Sequence, residues 1–349
     1  MSPLRLIWCC GVLAAVGILL VPTASSAVTR FQPGEQADQS SEQAAIQTDK
    51  QTDKQLTGES AEKHNAGPNE PGDPTKAQQS DSSTETVDHE YKTFHNVYYY
   101  KSDEFTLLCD IYQPVAEGPF PAVLAIHGGA WRRGSKLQML RHAWKLASAG
   151  YVVVSINYRH APNYQFPAQV HDVKNAVRWM RYKQEKLKIN PNQIAVFGYS
   201  AGGHLAAMLG TTDEKDNLDG DVPEILQPFS SSVQCVVAGG APCEFSWIKS
   251  NALKDWLGDN QAGNPEVYKQ AAPTTYVTAN DPPFIFFHGT ADKVVPIESA
   301  RKLHERLLVS GVSSEFRSVE KQGHFSTFSD TSWLDDAIVF MDKKLKRNE

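Results

Sequence analysis

Four groups of residues in this chain have the types and spacing to carry covalent chemistry at a carbonyl carbon. Ser200 lies in Gly198-Tyr199-Ser200-Ala201-Gly202-Gly203, between the apolar run "QIAVF" and the small apolar residues "HLAAML". The pattern G-x-S-x-G between a strand and a helix forces a tight turn that lifts the serine Oγ clear of the sheet, and only small flanking residues fit around it. A serine hydroxyl attacks poorly until a base takes its proton. Of the 11 histidines, His324 in "EKQGHFSTF" follows the last strand-like run and a glycine, which puts it on a loop at a sheet edge. His204 lies one turn beyond Ser200, His288 sits inside "FIFFHGTAD", and His171 falls on a predicted helix face; these three read as packing or surface groups. The base needs a carboxylate to orient it, and "FFHGTADKVVP" supplies Asp292 just past an apolar run. Asp281 precedes that run and belongs to the opposite end of the sheet. The order along the chain is nucleophile, acid, base.

A developing oxyanion needs N–H donors that side chains do not screen. "AIHGGAWRRGSK" provides Gly128, Gly129 and Ala130 directly after a strand, and the N–H of Ala201 opens the helix after the serine. Loss of one such donor costs roughly 10²–10³ in turnover. His127 is expected to brace this loop by hydrogen bonding, and Trp131 either to pack beneath it or to line the acyl pocket. The chemistry implied is two-step acyl transfer through a covalent acyl-serine. It requires no metal and no organic cofactor; His89 and His95 stand apart from other ligand types and read as surface groups. An imidazole that titrates near pH ~6.5 predicts activity that falls on the acid side.

The elements needed to hold these groups are present. From about residue 88, strand-length apolar runs alternate with amphipathic helical stretches near 136–149, 167–186, 201–210, 297–309 and 332–346. "FHNVYYYK" and "FTLLCDIYQP" read as an antiparallel opening. "PAVLAIHGG", "YVVVSINYR", "QIAVFGYS", "VQCVVAGGAP" and "PFIFFHGTAD" are apolar on both faces, as buried parallel strands are. This predicts one α/β domain over residues 88–349. Ahead of it, residues 6–21 form an apolar run behind Arg5, and Ser25 and Ala27 occupy the −3 and −1 positions of a signal-peptidase site. Residues 1–27 are therefore expected to be a signal peptide, or a membrane anchor through 6–21 if left uncleaved. Residues 28–87, with the repeat "QTDKQTDKQ", are too polar to bury a core and are expected to be a disordered linker. A net charge of −6 gives no reason to expect a nucleic-acid partner. Cys109, Cys235 and Cys243 remain after the leader; Cys235 and Cys243 could bridge, but burial as free thiols is the expectation.

Taken together, "HGGAW", "NYRHAPNYQFPAQVHDV", "GYSAGG", "HGTADKVVP" and "GH" resemble, in order, the motifs of the α/β-hydrolase superfamily, and within it esterases related to hormone-sensitive lipase. The flavour is that of secreted bacterial carbohydrate esterases of the feruloyl and acetylxylan kind. The resemblance implies a mostly parallel eight-stranded sheet with helices on both faces. It also implies Ser200 as nucleophile, Asp292 as acid, His324 as base, and Gly129, Ala130 and Ala201 as oxyanion donors with Gly128 beside them. Two positions depart from the pattern. Ala130 replaces a third glycine, and Tyr199 stands where the lipase-like branch carries an acidic residue, which keeps a serine peptidase or amidase of the same fold in contention. A catalytically silent binding module is the remaining alternative. The implied substrate is a small-molecule or polysaccharide-linked ester. Tyr158, Arg159, Pro162, Phe166, Pro167 and Asp172 are expected to fix a loop. Residues 211–230 and 244–282 are expected to hold insertions over the site, with Trp247, Trp256 and Tyr276 either contacting substrate or packing a lid.

Overall fold

The computed structural model describes residues 50–56, 62–64 and 89–346. Five consecutive parallel-sheet strands follow from the doubly apolar runs: β4 (Phe120–Ile126), β5 (Val152–Ile156), β6 (Ile189–Tyr199), β7 (Cys235–Gly239) and β8 (Phe284–Gly289). With β9 (Ser314–Val319) they pair parallel throughout, while β2 (Tyr91–Lys101) and β3 (Thr106–Pro114) join antiparallel at the other side. A short β1 (Glu62–His64) adds antiparallel to β2, so the order is β1-β2-β3-β5-β4-β6-β7-β8-β9. The eight expected strands are thus present, and a ninth extends the edge.

Alternation along each strand builds two cores. Val123, Ala125, Val153, Phe197, Ile285 and Phe287 point to the face covered by α1 (Leu140–Ser148) and a C-terminal helix, Leu334–Leu345. Leu124, Ile126, Val154, Val196 and Phe286 point to the opposite face, with α2 (Ala168–Tyr182), α3 (Ala201–Thr211) and the helix Ile297–Val309. Helices on both faces are what strands without polar alternation require.

The expected linker needs a correction. Residues 50–56 are helical, and Thr52, fully buried, donates Oγ1–H to the Tyr98 carbonyl at 2.8 Å. Gln55 bonds the Asn96 carbonyl and the Tyr98 N–H at 3.0 and 3.3 Å, and Asp53 pairs with Lys183 at 2.8 Å and with Lys186. An irregular register between Phe94 and Val97 leaves edge-strand backbone groups to be satisfied, and the Thr52 hydroxyl and Gln55 amide do that while Leu56 packs against the core. The predicted leader at 1–27, its apolar run at 6–21 and the rest of 28–87 lie outside the described residues. Among the described residues no helix is long and apolar enough to cross a membrane. Cys109, Cys235 and Cys243 are buried free thiols.

Candidate active site

Ser200 occupies the turn between β6 and α3 with φ 58° and ψ −123°. A non-glycine residue there stores about 1–3 kcal/mol of backbone strain and persists only where its surroundings fix it. Two contacts do so. The Ser200 N–H donates to the Gly239 carbonyl at 2.8 Å, and its carbonyl accepts from His204 N–H at 3.0 Å, starting the helix. The flanking glycines are demanded by space: a Cβ on Gly202 would stand 2.6 Å from the His127 carbonyl oxygen and overlap that of Ile126.

The loop after β4 approaches the serine from the side. A Cβ on Gly128 would lie 3.2 Å from Ser200 Cβ and 3.9 Å from its Oγ, so this backbone runs directly past the hydroxyl. Gly129, Ala130 and Trp131 all adopt positive φ, at 117°, 56° and 59°. None of the hydrogen bonds among the described residues uses the backbone N–H of Gly129, Ala130 or Ala201. Ala130 accepts the left-handed conformation that a third glycine would adopt freely. Beneath the loop, His127 Nδ1–H donates to the Gly128 carbonyl at 2.6 Å, and Tyr158 Oη–H donates to the His127 carbonyl at 3.1 Å. Burial, against the bond to Gly128, drives the His127 imidazole down to about 4, so it braces the loop uncharged.

Trp131 is buried and stacks on Trp256 with ring centroids 3.9 Å apart and planes 4° from parallel. Its Nε1–H donates to His204 Nδ1 at 3.2 Å, and His204 Nε2–H donates to the Ala271 carbonyl at 2.7 Å. Trp256 belongs to the inserted helix Asn251–Leu257, and its Nε1–H donates to Gln169 at 2.8 Å. Aromatic stacking of this kind is worth about 0.5–1.5 kcal/mol beyond burial. Trp256 is therefore fully buried core that clamps the loop after β4 to the insertion. Tyr276, whose hydroxyl donates to the Gln270 carbonyl at 2.7 Å, is half-buried, and Trp247 is exposed.

Asp292 sits in the loop after β8 and His324 opens the short helix Asp-proximal to it, His324–Ser329. His324 Nδ1–H donates to Asp292 Oδ2 at 2.6 Å, which leaves Nε2 as the acceptor. Asp292 Oδ1 accepts the N–H groups of Val294 and Val295 at 2.8 and 2.9 Å. His288, assigned from the sequence to packing alone, also lies 3.4 Å from Asp292 Oδ2 through Nε2, which donates to the Val295 carbonyl at 2.9 Å. Burial pushes the Asp292 carboxyl up, but donors from His288, His324 and the Val295 amide outweigh it and hold the group well below the usual carboxylate range. Asp281, the alternative acid, bonds Thr278 and meets no histidine; burial raises it to about 6.

Ser200 and the Asp292–His324 pair reach the same edge of the sheet. Tyr199, adjacent to the serine, donates Oη–H to the His324 carbonyl at 2.7 Å. Asp292 and His324 are hydrogen-bonded, while no hydrogen bond joins Ser200 Oγ to His324 among the described residues. Nucleophile–base contacts without substrate are often long and tighten when it arrives. Asp172 takes the Arg159 N–H at 2.8 Å and its guanidinium at 2.7 Å, fixing the loop into α2 as expected.

The sheet order, the strained serine turn after β6, the Asp292 loop after β8 and the histidine after β9 define an α/β-hydrolase fold. Comparison with known proteins narrows this. The BD-FAE family profile matches residues 109–307, and the chain belongs to the BD-FAE family. Esterase LipC of Mycobacterium tuberculosis (strain ATCC 25618 / H37Rv) is 36% identical over 200 residues, 54% of this chain and 48% of that protein. The chain spans about half the length of the curated relatives it matches. A truncated carbohydrate esterase from gut microbiota superposes with a TM-score of 0.64 and 27% identity, covering 76% of this chain and 99% of that one. Esterase 2 of Thermogutta terrifontis, in a form phosphorylated by paraoxon, gives 0.59 and 28%, covering 74% and 94%.

Proposed function

We propose that this protein is a serine carboxylic-ester hydrolase working through Ser200, His324 and Asp292. The observation that carries the reading is a single constellation. A strained serine stands beside bare backbone, and a buried carboxylate, fixed by two amides, orients the histidine on the same edge. His324 Nε2 takes the Ser200 proton as Oγ attacks the ester carbonyl. The N–H groups of Gly129, Ala130 and Ala201, with Gly128 giving room, hold the oxyanion. His324 returns the proton to the leaving alcohol, and water then releases the acid by the same steps in reverse.

The substrates are short-acyl or carbohydrate-linked esters. The family and the carbohydrate-esterase neighbour support this, as does a chain read as exported. The export reading rests on the apolar run at 6–21 and the small residues through Ala27. Small-molecule or polysaccharide-linked esters are then the partners, and nucleic acid is not one; residues 88–349 form the catalytic domain. A fluorophosphonate probe should label the parent and not Ser200→Ala. Parallel assays with p-nitrophenyl acetate and an aminoacyl anilide should show ester turnover at least ~10²-fold faster, and acetylated xylan and methyl ferulate then define the acid. Absence of labelling, or faster anilide cleavage, refutes the reading.

A further inference from the structure

Tyr199 is the residue that departs from the lipase-like pattern, and its surroundings give it work beyond filling a turn. It ends β6, is 2% exposed, and points to the face away from α3. Its hydroxyl donates to the His324 carbonyl at 2.7 Å across 125 residues of chain. Its ring lies 5.2 Å from the His324 imidazole and 5.0 Å from Phe328, inclined at 55° and 49°. Gly240 leaves it room, since a Cβ there would stand 2.9 Å from the ring carbon Cζ and 3.0 Å from Oη. Burial, reinforced by the Asp292 charge and only partly offset by a contact with the Thr327 hydroxyl, raises the phenol above its ordinary range, so the hydroxyl keeps its proton and is a donor.

We infer that Tyr199 is a positioning residue that sets the distance between nucleophile and base, a role that rests on the esterase reading above. His324 is held at two points, by groups at the ends of two different strands. Its Nδ1–H is fixed by Asp292 from the loop after β8, and its backbone carbonyl is fixed by Tyr199 from β6. Ser200 is the next residue after Tyr199, its Cα about 3.8 Å away across one planar peptide. The nucleophile and the donor that anchors the base's backbone therefore share one rigid peptide frame, and movement of the histidine loop away from Ser200 must break a buried hydrogen bond. An ionised acidic residue at position 199 could not do this, because a carboxylate only accepts and the His324 carbonyl needs a donor.

The test is Tyr199→Phe, which keeps the ring and removes the hydroxyl. With p-nitrophenyl acetate, kcat should fall roughly 10–30-fold with KM within about twofold, as misplacement of a catalytic group does. Fluorophosphonate labelling of Ser200 should slow in step. The low-field proton resonance of the His324–Asp292 hydrogen bond should shift or broaden. Phe328→Leu, which keeps the hydroxyl but removes a stacking partner, should retain kcat within about threefold. A Tyr199→Phe enzyme with kcat within twofold of the parent, or an unchanged resonance, overturns the proposal. So does a Phe328→Leu loss equal to that of Tyr199→Phe, which would assign the effect to packing. If the parent itself neither hydrolyses esters nor labels, the esterase reading has failed, and the resonance alone then decides whether Tyr199 holds His324.

Discussion

Asp292→Asn is the substitution whose outcome the geometry fixes most tightly. Asparagine has nearly the same shape, so the loop has no steric reason to move, but its two ends are no longer equivalent. Oδ1 of Asp292 accepts two backbone N–H groups, from Val294 and Val295, at 2.8 and 2.9 Å. Only the carbonyl end of an asparagine can take that place, because turning the amide round would aim its NH₂ at two donors. The NH₂ end is then forced toward His324 Nδ1, 2.6 Å away in the parent, and toward His288 Nε2. Facing a donor, His324 must present Nδ1 as an acceptor and carry its proton on Nε2. In that tautomer the ring offers Ser200 an N–H, not a lone pair, and cannot act as base. The expected loss is roughly 10³–10⁴-fold in kcat, about 4–5.5 kcal/mol at ~1.36 kcal/mol per decade, with KM little changed. Steady-state hydrolysis of p-nitrophenyl acetate measures it, with circular dichroism to verify the fold. A loss smaller than tenfold in a folded variant would show that Asp292 does not set the tautomer of the base, and the catalytic assignment would have to be redrawn.

Two further outcomes follow from buried groups. His127, His142 and His204 are at most 2% exposed, and burial lowers each imidazole to about 4. Above the unfolded value of ~6.5 these imidazoles are neutral in both states and contribute no pH dependence. Between ~6.5 and ~4 the unfolded chain binds protons that the folded one refuses, so stability falls as pH falls. At pH 5 the penalty is about 2 kcal/mol per imidazole, or about 6 kcal/mol for all three, a large share of a typical 5–15 kcal/mol. Urea unfolding at pH 7 and pH 5 measures this, and equal free energies within about 1 kcal/mol would refute it. Gly202→Ala should cost about 1–3 kcal/mol and on the order of 10²-fold in kcat, since its Cβ drives α3 off the Ile126 and His127 carbonyls. Gly323→Ala, one residue from His324, should stay within about threefold of the parent. Its φ is −91° and the nearest obstacle to a Cβ is 3.6 Å away. Equal damage from the two substitutions would sink the steric account.

What could be read from the sequence was whatever short-range physics dictates. The serine turn announces itself because strain and close packing demand glycines within two residues on either side. Asp292 is legible because the apolar run ahead of it has one possible end, and the parallel strands because burial on both faces removes all polar alternation. The groups that escaped depend on how the chain turns or on partners far along it. His288 reads as a core histidine in "FIFFHG", and only the turn that brings Asp292 back under it reveals the second imidazole at the acid. Trp256 carries no periodic signal inside its insertion, so nothing local distinguishes a substrate platform from the clamp it forms with Trp131. The segment at residues 50–56 is polar but for Leu56, and composition registers apolar burial but not the hydrogen-bonding needs of an edge strand. The same distinction explains Tyr199. Its position next to the serine is written locally, while its partner is a backbone carbonyl, which has no residue identity and leaves no trace in a sequence. Side-chain-to-backbone ties of this kind are where a family pattern changes its letter without losing its geometry.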